Sequence, residues 1–160
     1  MNEKAKILVV DDEKIIRDGC YRVLSGKGYE VITAENGQAA LDILAKDTVD
    51  IILLDLKMPV MSGEEVLEIT GKKYPDIPVI IITGHGTVDT AVECMKKGAY
   101  DFITKPFQID QFLLIITRAD EKRNLEQKAR QFEQENIRNL YDLNLEKSRL
   151  KTIINYMGNG

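Results

Sequence analysis

The sequence predicts an α/β protein, a doubly wound five-stranded parallel sheet followed by a long helix. Three observations predict it. First, four short, largely apolar runs each stop at a polar residue: Ile7-Leu8-Val9-Val10 at Asp11-Asp12, Ile51-Ile52-Leu53-Leu54 at Asp55, Val79-Ile80-Ile81-Ile82 at Thr83, and Tyr100-Asp101-Phe102-Ile103 at Thr104-Lys105-Pro106. Unbroken apolar runs are the mark of strands buried on both faces. Second, stretches with helical spacing of apolar residues lie between the runs. Third, neither Gly nor Pro occurs from Phe107 to Met157, so nothing there interrupts a helix.

The first helix places Ile15, Ile16, Cys20, Val23 and Leu24 on one face and Arg17, Asp18 and Arg22 on the other. The second strand, Glu30-Val31-Ile32-Thr33, is more polar than the others. The second helix runs from about Gln38 to Lys46, with Asn36 as its N-cap. The third begins at Ser62, where Ser62 and Glu65 have capping-box spacing. The fourth starts after Thr87, buries Val88, Ala91, Val92 and Met95, and closes at Gly98. The fifth starts near Ile109, and its Phe112-Leu113-Leu114-Ile115-Ile116 run is apolar enough to pack on the sheet.

Five strand–helix units in strict alternation argue for a parallel sheet with helices on both faces. Right-handed crossovers leave few topologies. A flavodoxin-like order, 2-1-3-4-5, sets the first and third strands side by side at the switch point, where ligands bind such sheets. Asp11, Asp12 and Asp55 are then neighbours. Three clustered carboxylates call for a counter-charge, and their oxygens suit Mg²⁺, which keeps waters and accepts phosphate oxygens. One carboxylate can act as nucleophile toward a phosphoryl group. Asp55 is the best candidate because it is central. Lys105 can contact a phosphoryl oxygen as a point charge, and the Thr83 hydroxyl can donate to another.

The chain has 160 residues, 44% hydrophobic and 30% charged, with a net charge of −4. This is enough for one domain and an appendage. The charge gives no electrostatic case for binding nucleic acid or an anionic membrane. No run reaches membrane-spanning length, and Met1 to Lys6 lacks the apolar stretch of a signal peptide. Cys20 and Cys94 fall at apolar helix positions, as core thiols of a cytoplasmic protein do.

The motifs Ile7-Leu-Val-Val-Asp-Asp-Glu13, Leu53-Leu-Asp-Leu-Lys-Met-Pro59, Ser62-Gly63, Ile82-Thr-Gly-His-Gly86 and Gly98-Ala-Tyr-Asp-Phe-Ile-Thr-Lys-Pro-Phe107 carry a resemblance. Over about residues 4 to 120 the chain resembles the receiver domain of bacterial two-component response regulators. The resemblance implies that Asp55 accepts a phosphoryl group from a sensor histidine kinase or phosphotransfer protein. It implies that Asp12, Asp55 and the Lys57 backbone carbonyl hold Mg²⁺ directly, with Asp11 acting through water. It implies that Thr83 and Phe102 form a switch pair, and that the Lys105–Pro106 bond is cis. Ser62 and Gln108 stand where many relatives carry Asp. His85 falls on the loop after Thr83 with no direct catalytic role. Two other readings compete. A haloacid-dehalogenase-type phosphatase wants Asp two residues after Asp11, where this chain has Glu13. A degenerate receiver, used only for protein contacts, fits poorly with intact Asp12, Asp55, Thr83 and Lys105.

The expected organisation is a receiver at residues 1–121, a helical coiled-coil linker at 122–154, and the truncated start of a downstream domain at 155–160. From Arg118 onward the helix is rich in charge, with apolar residues at Leu125, Ala129, Phe132, Ile137, Leu140, Leu143, Leu145 and Leu150. A two-stranded coiled coil between two copies would bury them; a single solvated helix is the alternative. Leu140, Leu143, Leu150 and Ile154 fit a 3-4 spacing interrupted by Lys147. Carried backward, that register falls on Asn136 and Glu133, which implies a stutter. The stretch from Glu146 to Gly160 resembles the helix leading into a PAS sensor domain. The runner-up output is that of the enhancer-binding transcription activators, whose receivers this one also resembles.

Overall fold

The computed structural model describes residues 4–84 and 87–158; His85 lies outside the described residues. The elements alternate as expected: β1 Lys6–Val10, α1 Lys14–Gly26, β2 Glu30–Ala34, α2 Gly37–Lys46, β3 Ile51–Leu54, α3 Gly63–Lys73, β4 Val79–Thr83, α4 Val88–Lys96, β5 Asp101–Thr104 and α5 Ile109–Gly158. All pairings are parallel and the strand order is β2-β1-β3-β4-β5. Val10 pairs with Leu54 and Leu54 with Ile81, so the residues that follow these strands emerge along one edge.

Strand residues alternate between two interiors. Leu8, Val10, Ile52, Leu54 and Ile81 face α2, α3 and α4, packing on Ala40, Leu44, Val66 and Cys94. Ile7, Val9, Ile51, Leu53, Ile80 and Ile82 face the other way, against Cys20 and Leu24 of α1 and Phe112 and Ile116 of α5. Both cysteines are buried free thiols.

The caps are as the sequence implies. Asn36 accepts from the Ala39 N–H at 2.7 Å, and Ser62 from the Glu65 N–H at 3.3 Å. α4 ends in a Schellman motif: Gly98, at φ +102°, donates to the Met95 carbonyl, and Ala99 donates to that of Cys94. α1 ends identically, with Gly28 at φ +91°.

Two helix faces differ from expectation. In α4, Val88, Val92 and Met95 are 80%, 47% and 45% exposed, while Cys94 is buried. The helix is rolled so that Cys94, with Ala91 and Thr90 partly covered, meets the sheet. In α1, Ile15 is 84% exposed although Cys20 and Leu24 are buried. It sits in the first turn, on the strand-end side of the contacts that Cys20 and Leu24 make with the sheet.

The chain divides into two compact units, residues 1–122 and 123–160. The first contains the sheet. In the second, residues 123–158 are helical, and every residue from Leu125 to Asn155 is exposed. Among the described residues no helix is long and apolar enough to cross a membrane.

Candidate functional site

The site lies where β1, β3, β4 and β5 end. Asp11 follows β1 and is held from several sides. Its N–H donates to the Ala34 carbonyl at 3.1 Å, and its Oδ1 accepts from the Glu13 N–H at 2.9 Å. Its carbonyl accepts from Arg17 Nη1 at 2.8 Å. Arg17 is thus part of the site's frame, not simply of the outward face of α1 on which the sequence put it. The signal was available in principle: an arginine one turn into the helix is long enough to reach back to the strand end.

Asp55 follows β3 and donates its N–H to the Val10 carbonyl at 2.9 Å, which ties the two acid-bearing strand ends together. Asp11 and Asp55 are 2% and 5% exposed, and Asp12 is exposed. Asp11, Asp12 and Asp55 each offer an oxygen within 4.8 Å of the others. Two carboxylate charges no more than 4.8 Å apart repel by at least about 3 kcal/mol at an effective dielectric near 20.

A lysine answers them. Lys105, after β5, places Nζ 2.7 Å from Asp11 Oδ2 and 3.8 Å from Asp55 Oδ2. Its N–H donates to the Thr83 carbonyl at 2.9 Å, and the Lys105–Pro106 bond is cis. Burial pulls the Lys105 pKa down, but the hydrogen bond and charge of Asp11, with Asp55 and Glu13, outweigh it and leave it raised. Asp55 is also raised, first by burial and then by the charges of Asp11 and Asp12; Lys105 and a hydrogen bond from Thr83 oppose this. Burial beside Asp11 pushes the Cys20 thiol up to about 11, so it stays protonated and inert at neutral pH.

Among the described residues Lys105 pairs with the carboxylates while Arg17 is engaged by the Asp11 carbonyl, so three carboxylates still exceed the cations beside them. Asp55 Oδ1 is buried without a hydrogen-bond partner among the described residues. A buried, unsatisfied carboxylate oxygen is costly unless something binds it. An all-oxygen donor set with one open buried oxygen fits Mg²⁺.

The loop after β3 is shaped by two residues whose local roles the motif reading did not foresee. A Cβ on Gly63 would lie 2.1 Å from the Asp55 carbonyl oxygen and 2.7 Å from Leu56 Cα. The Gly63 N–H donates to the Leu56 carbonyl at 2.8 Å, so only glycine lets α3 start this close to the loop carrying Asp55 and Lys57. Val60 has φ +70°. Across it the Met61 N–H donates to the Pro59 carbonyl at 2.8 Å, a strained γ-turn for a β-branched residue.

Thr83 is fully buried beneath the acids. Phe102 is half-buried on β5, packed against the interior that includes Leu54 and Ile81. Lys57 lies in the β3–α3 loop with its side chain exposed. Asp11, Asp12, Asp55, Thr83 and Lys105 therefore converge, while Phe102 stands beside them on the neighbouring strand.

Residues 7–117 match the family described as response regulator receiver domain. The chain belongs to that family. A putative NtrX-like response regulator of Rickettsia bellii is 44% identical over 117 residues, 72% of this chain and 24% of the relative. The DNA-binding transcriptional regulator NtrC of Escherichia coli K12 is 39% identical over 117 residues, 73% of this chain and 25% of its own length. The crystal structure of the signal receiver domain of a putative LuxO repressor protein from Vibrio parahaemolyticus superposes with a TM-score of 0.75 at 31% identity. That match covers 79% of this chain and 97% of the other. The chain spans about a quarter of the length of these curated relatives.

Proposed function

We propose that this chain is the phosphoacceptor module of a two-component phosphorelay, and that Asp55 is the acceptor. The observation that carries the proposal is the buried Asp55 Oδ1 without a hydrogen-bond partner among the described residues, beside a lysine already engaged by Asp11. A carboxylate oxygen of Asp55 attacks the phosphorus of a phosphohistidine on a sensor histidine kinase or phosphotransfer protein. The O–P bond forms, the P–N bond breaks, and the leaving imidazole takes up a proton. The product is an acyl phosphate on Asp55.

Asp12, Asp55 and the Lys57 backbone carbonyl would hold Mg²⁺, with Asp11 acting through water. When bound, the metal neutralises charge on the acids and on the phosphoryl oxygens. Lys105, 3.8 Å from Asp55 Oδ2, stabilises charge on a transferred phosphoryl oxygen. Thr83, fully buried at the end of the neighbouring strand β4, donates to another and shifts toward it. Phe102 then turns inward, and the face of β4 and β5 changes shape. The module catalyses only its own phosphorylation and dephosphorylation. It works in the cytoplasm without direct nucleic-acid or membrane contact. It is a homodimer through residues 123–158, whose exposed apolar residues support pairing. Beyond the family match, which ends at residue 117, the helix passes the signal to a PAS domain and its kinase, with a transcription activator as the alternative output.

Incubation with acetyl phosphate or beryllium fluoride, with and without Mg²⁺, tests the acceptor. Mg²⁺-dependent modification that disappears in Asp55→Asn is expected. No modification under any condition would leave the protein-contact reading, and multiple turnover of a phosphate ester would leave the phosphatase one. Sedimentation of the chain against one cut near Asp120 tests the dimer; equal monomer masses would exclude it.

A further inference from the structure

We propose that residues 125–157 of two copies of this chain form a parallel, in-register coiled coil with one stutter between Asn136 and Leu140. The inference rests on the homodimer reading above and deepens it.

The helix of residues 123–158 leaves its large apolar side chains in solvent: Leu125 is 67% exposed, Phe132 65%, Leu140 62% and Ile154 65%. Leu125, Ala129, Phe132 and Asn136 follow one another at steps of four, three and four. One further step of four reaches Leu140. From there Leu143, Lys147, Leu150, Ile154 and Met157 continue at alternating steps of three and four. Two consecutive steps of four are a stutter, which locally unwinds a left-handed coil. Without it, the register from Asn136 would run through Asn139 and Glu146, setting two Glu146 carboxylates face to face in the seam. With it, Leu140 takes the seam place of Asn139, and the polar seam residues are Asn136 and Lys147, whose longer stem lets its ammonium reach out of the seam to water. Ile137, Tyr141 and Leu145 fall outside the seam.

Charge selects the partner and its direction. In a parallel dimer the residue before one core layer faces the residue five positions on in the other chain. That sets Lys128 against Glu133 and Glu146 against Lys151 of the second copy, both attractive. The Lys147 layer lies next to the same Glu146 carboxylates. Asn136 meets Asn136 across the seam, where a polar core residue fixes register and strand number. The antiparallel alignment that keeps the layers in phase would set Asn136 against Leu143, so that the amide loses the partner it has in the parallel form, and Lys147 against Phe132. The complementary occupant is therefore a second copy in the same direction.

Cysteine cross-linking on the full chain tests polarity and register, with the unsubstituted protein, whose Cys20 and Cys94 are buried, as background. Ala129→Cys and Leu150→Cys are each expected to form a disulfide-linked dimer alone on mild oxidation. Cross-linking only when the two variants are mixed would overturn the parallel arrangement. Leu140→Cys should cross-link several-fold faster than Asn139→Cys; the reverse order would overturn the stutter. Glu146→Lys should weaken the dimer about tenfold at low salt, with Lys151→Glu in the same chain restoring it. Weakening without restoration would overturn the pairing. A monomeric chain by sedimentation would sink the homodimer reading itself, whereas a dimer with the wrong cross-links sinks only this inference.

Discussion

Residues 4–122 and residues 123–158 both carry regularly spaced apolar side chains, and they dispose of them in opposite ways. In the first region the strand runs are buried almost completely, Ile7, Leu8, Ile51, Ile52, Leu54, Ile80 and Ile81 at 0–1% exposure. In the second, Leu143, Leu150 and Ile153 remain 53–58% exposed. The difference is one of dimension. A sheet brings runs far apart in sequence to lateral contact, and helices close both faces. One helix has no second surface, so its apolar stripe stays wet until another chain covers it. The first region buries its apolar runs within itself; the second leaves them exposed, the surface on which the proposed dimer rests.

That contrast can be broken by truncating equivalent side chains. Ile81→Ala should cost about 2–5 kcal/mol of unfolding free energy, read from denaturant melts of the whole chain. Leu143→Ala should leave that transition in place and weaken self-association measured by sedimentation. If Leu143→Ala destabilised residues 4–122 as much as Ile81→Ala, the two regions would not be independent. Gly63→Ala sharpens the first half. With backbone atoms 2.1 Å and 2.7 Å from the new Cβ, no side chain can yield, so the β3–α3 loop must move. A loss of about 2–3 kcal/mol is expected, with slower modification of Asp55 by acetyl phosphate. A smaller effect of opposite sign is expected at the γ-turn: Val60→Gly removes strain from a fully exposed valine at φ +70° and should stabilise by about 1 kcal/mol. Smallest of all, Val88→Ser should change stability by less than about 0.5 kcal/mol, because Val88 is 80% exposed. A larger loss would return Val88 to the buried face of α4.

Much of the site was legible beforehand. Runs such as Ile51-Ile52-Leu53-Leu54 are buried on both faces whatever the docking angle of the helices, so their ends, and the acids placed there, can be read from composition alone. Strict alternation narrows the strand order to a few, and the flavodoxin-like one, which the structure has, makes Asp11 and Asp55 neighbours. Asn36, Ser62 and Gly98 act through contacts a few residues away, and each stands where its local chemistry requires it.

Other features depend on how the elements meet. A helix presents several plausible apolar stripes, and only its roll against the sheet chooses one. In α4 that roll buries Cys94 and exposes Val88, Val92 and Met95. The engagement of Lys105 by Asp11 at 2.7 Å, closer than its 3.8 Å approach to Asp55, is a matter of tertiary distance. So are the reach of Arg17 to the Asp11 carbonyl and the need for glycine at position 63. Sequence alone determined the order of elements, the strand ends and the identity of the clustered groups, because these follow from local pattern and chain topology. Tertiary structure decided which helix face is buried, which acid holds the lysine and which loop atoms touch. Those follow from packing between residues up to 94 positions apart, where local pattern carries no information.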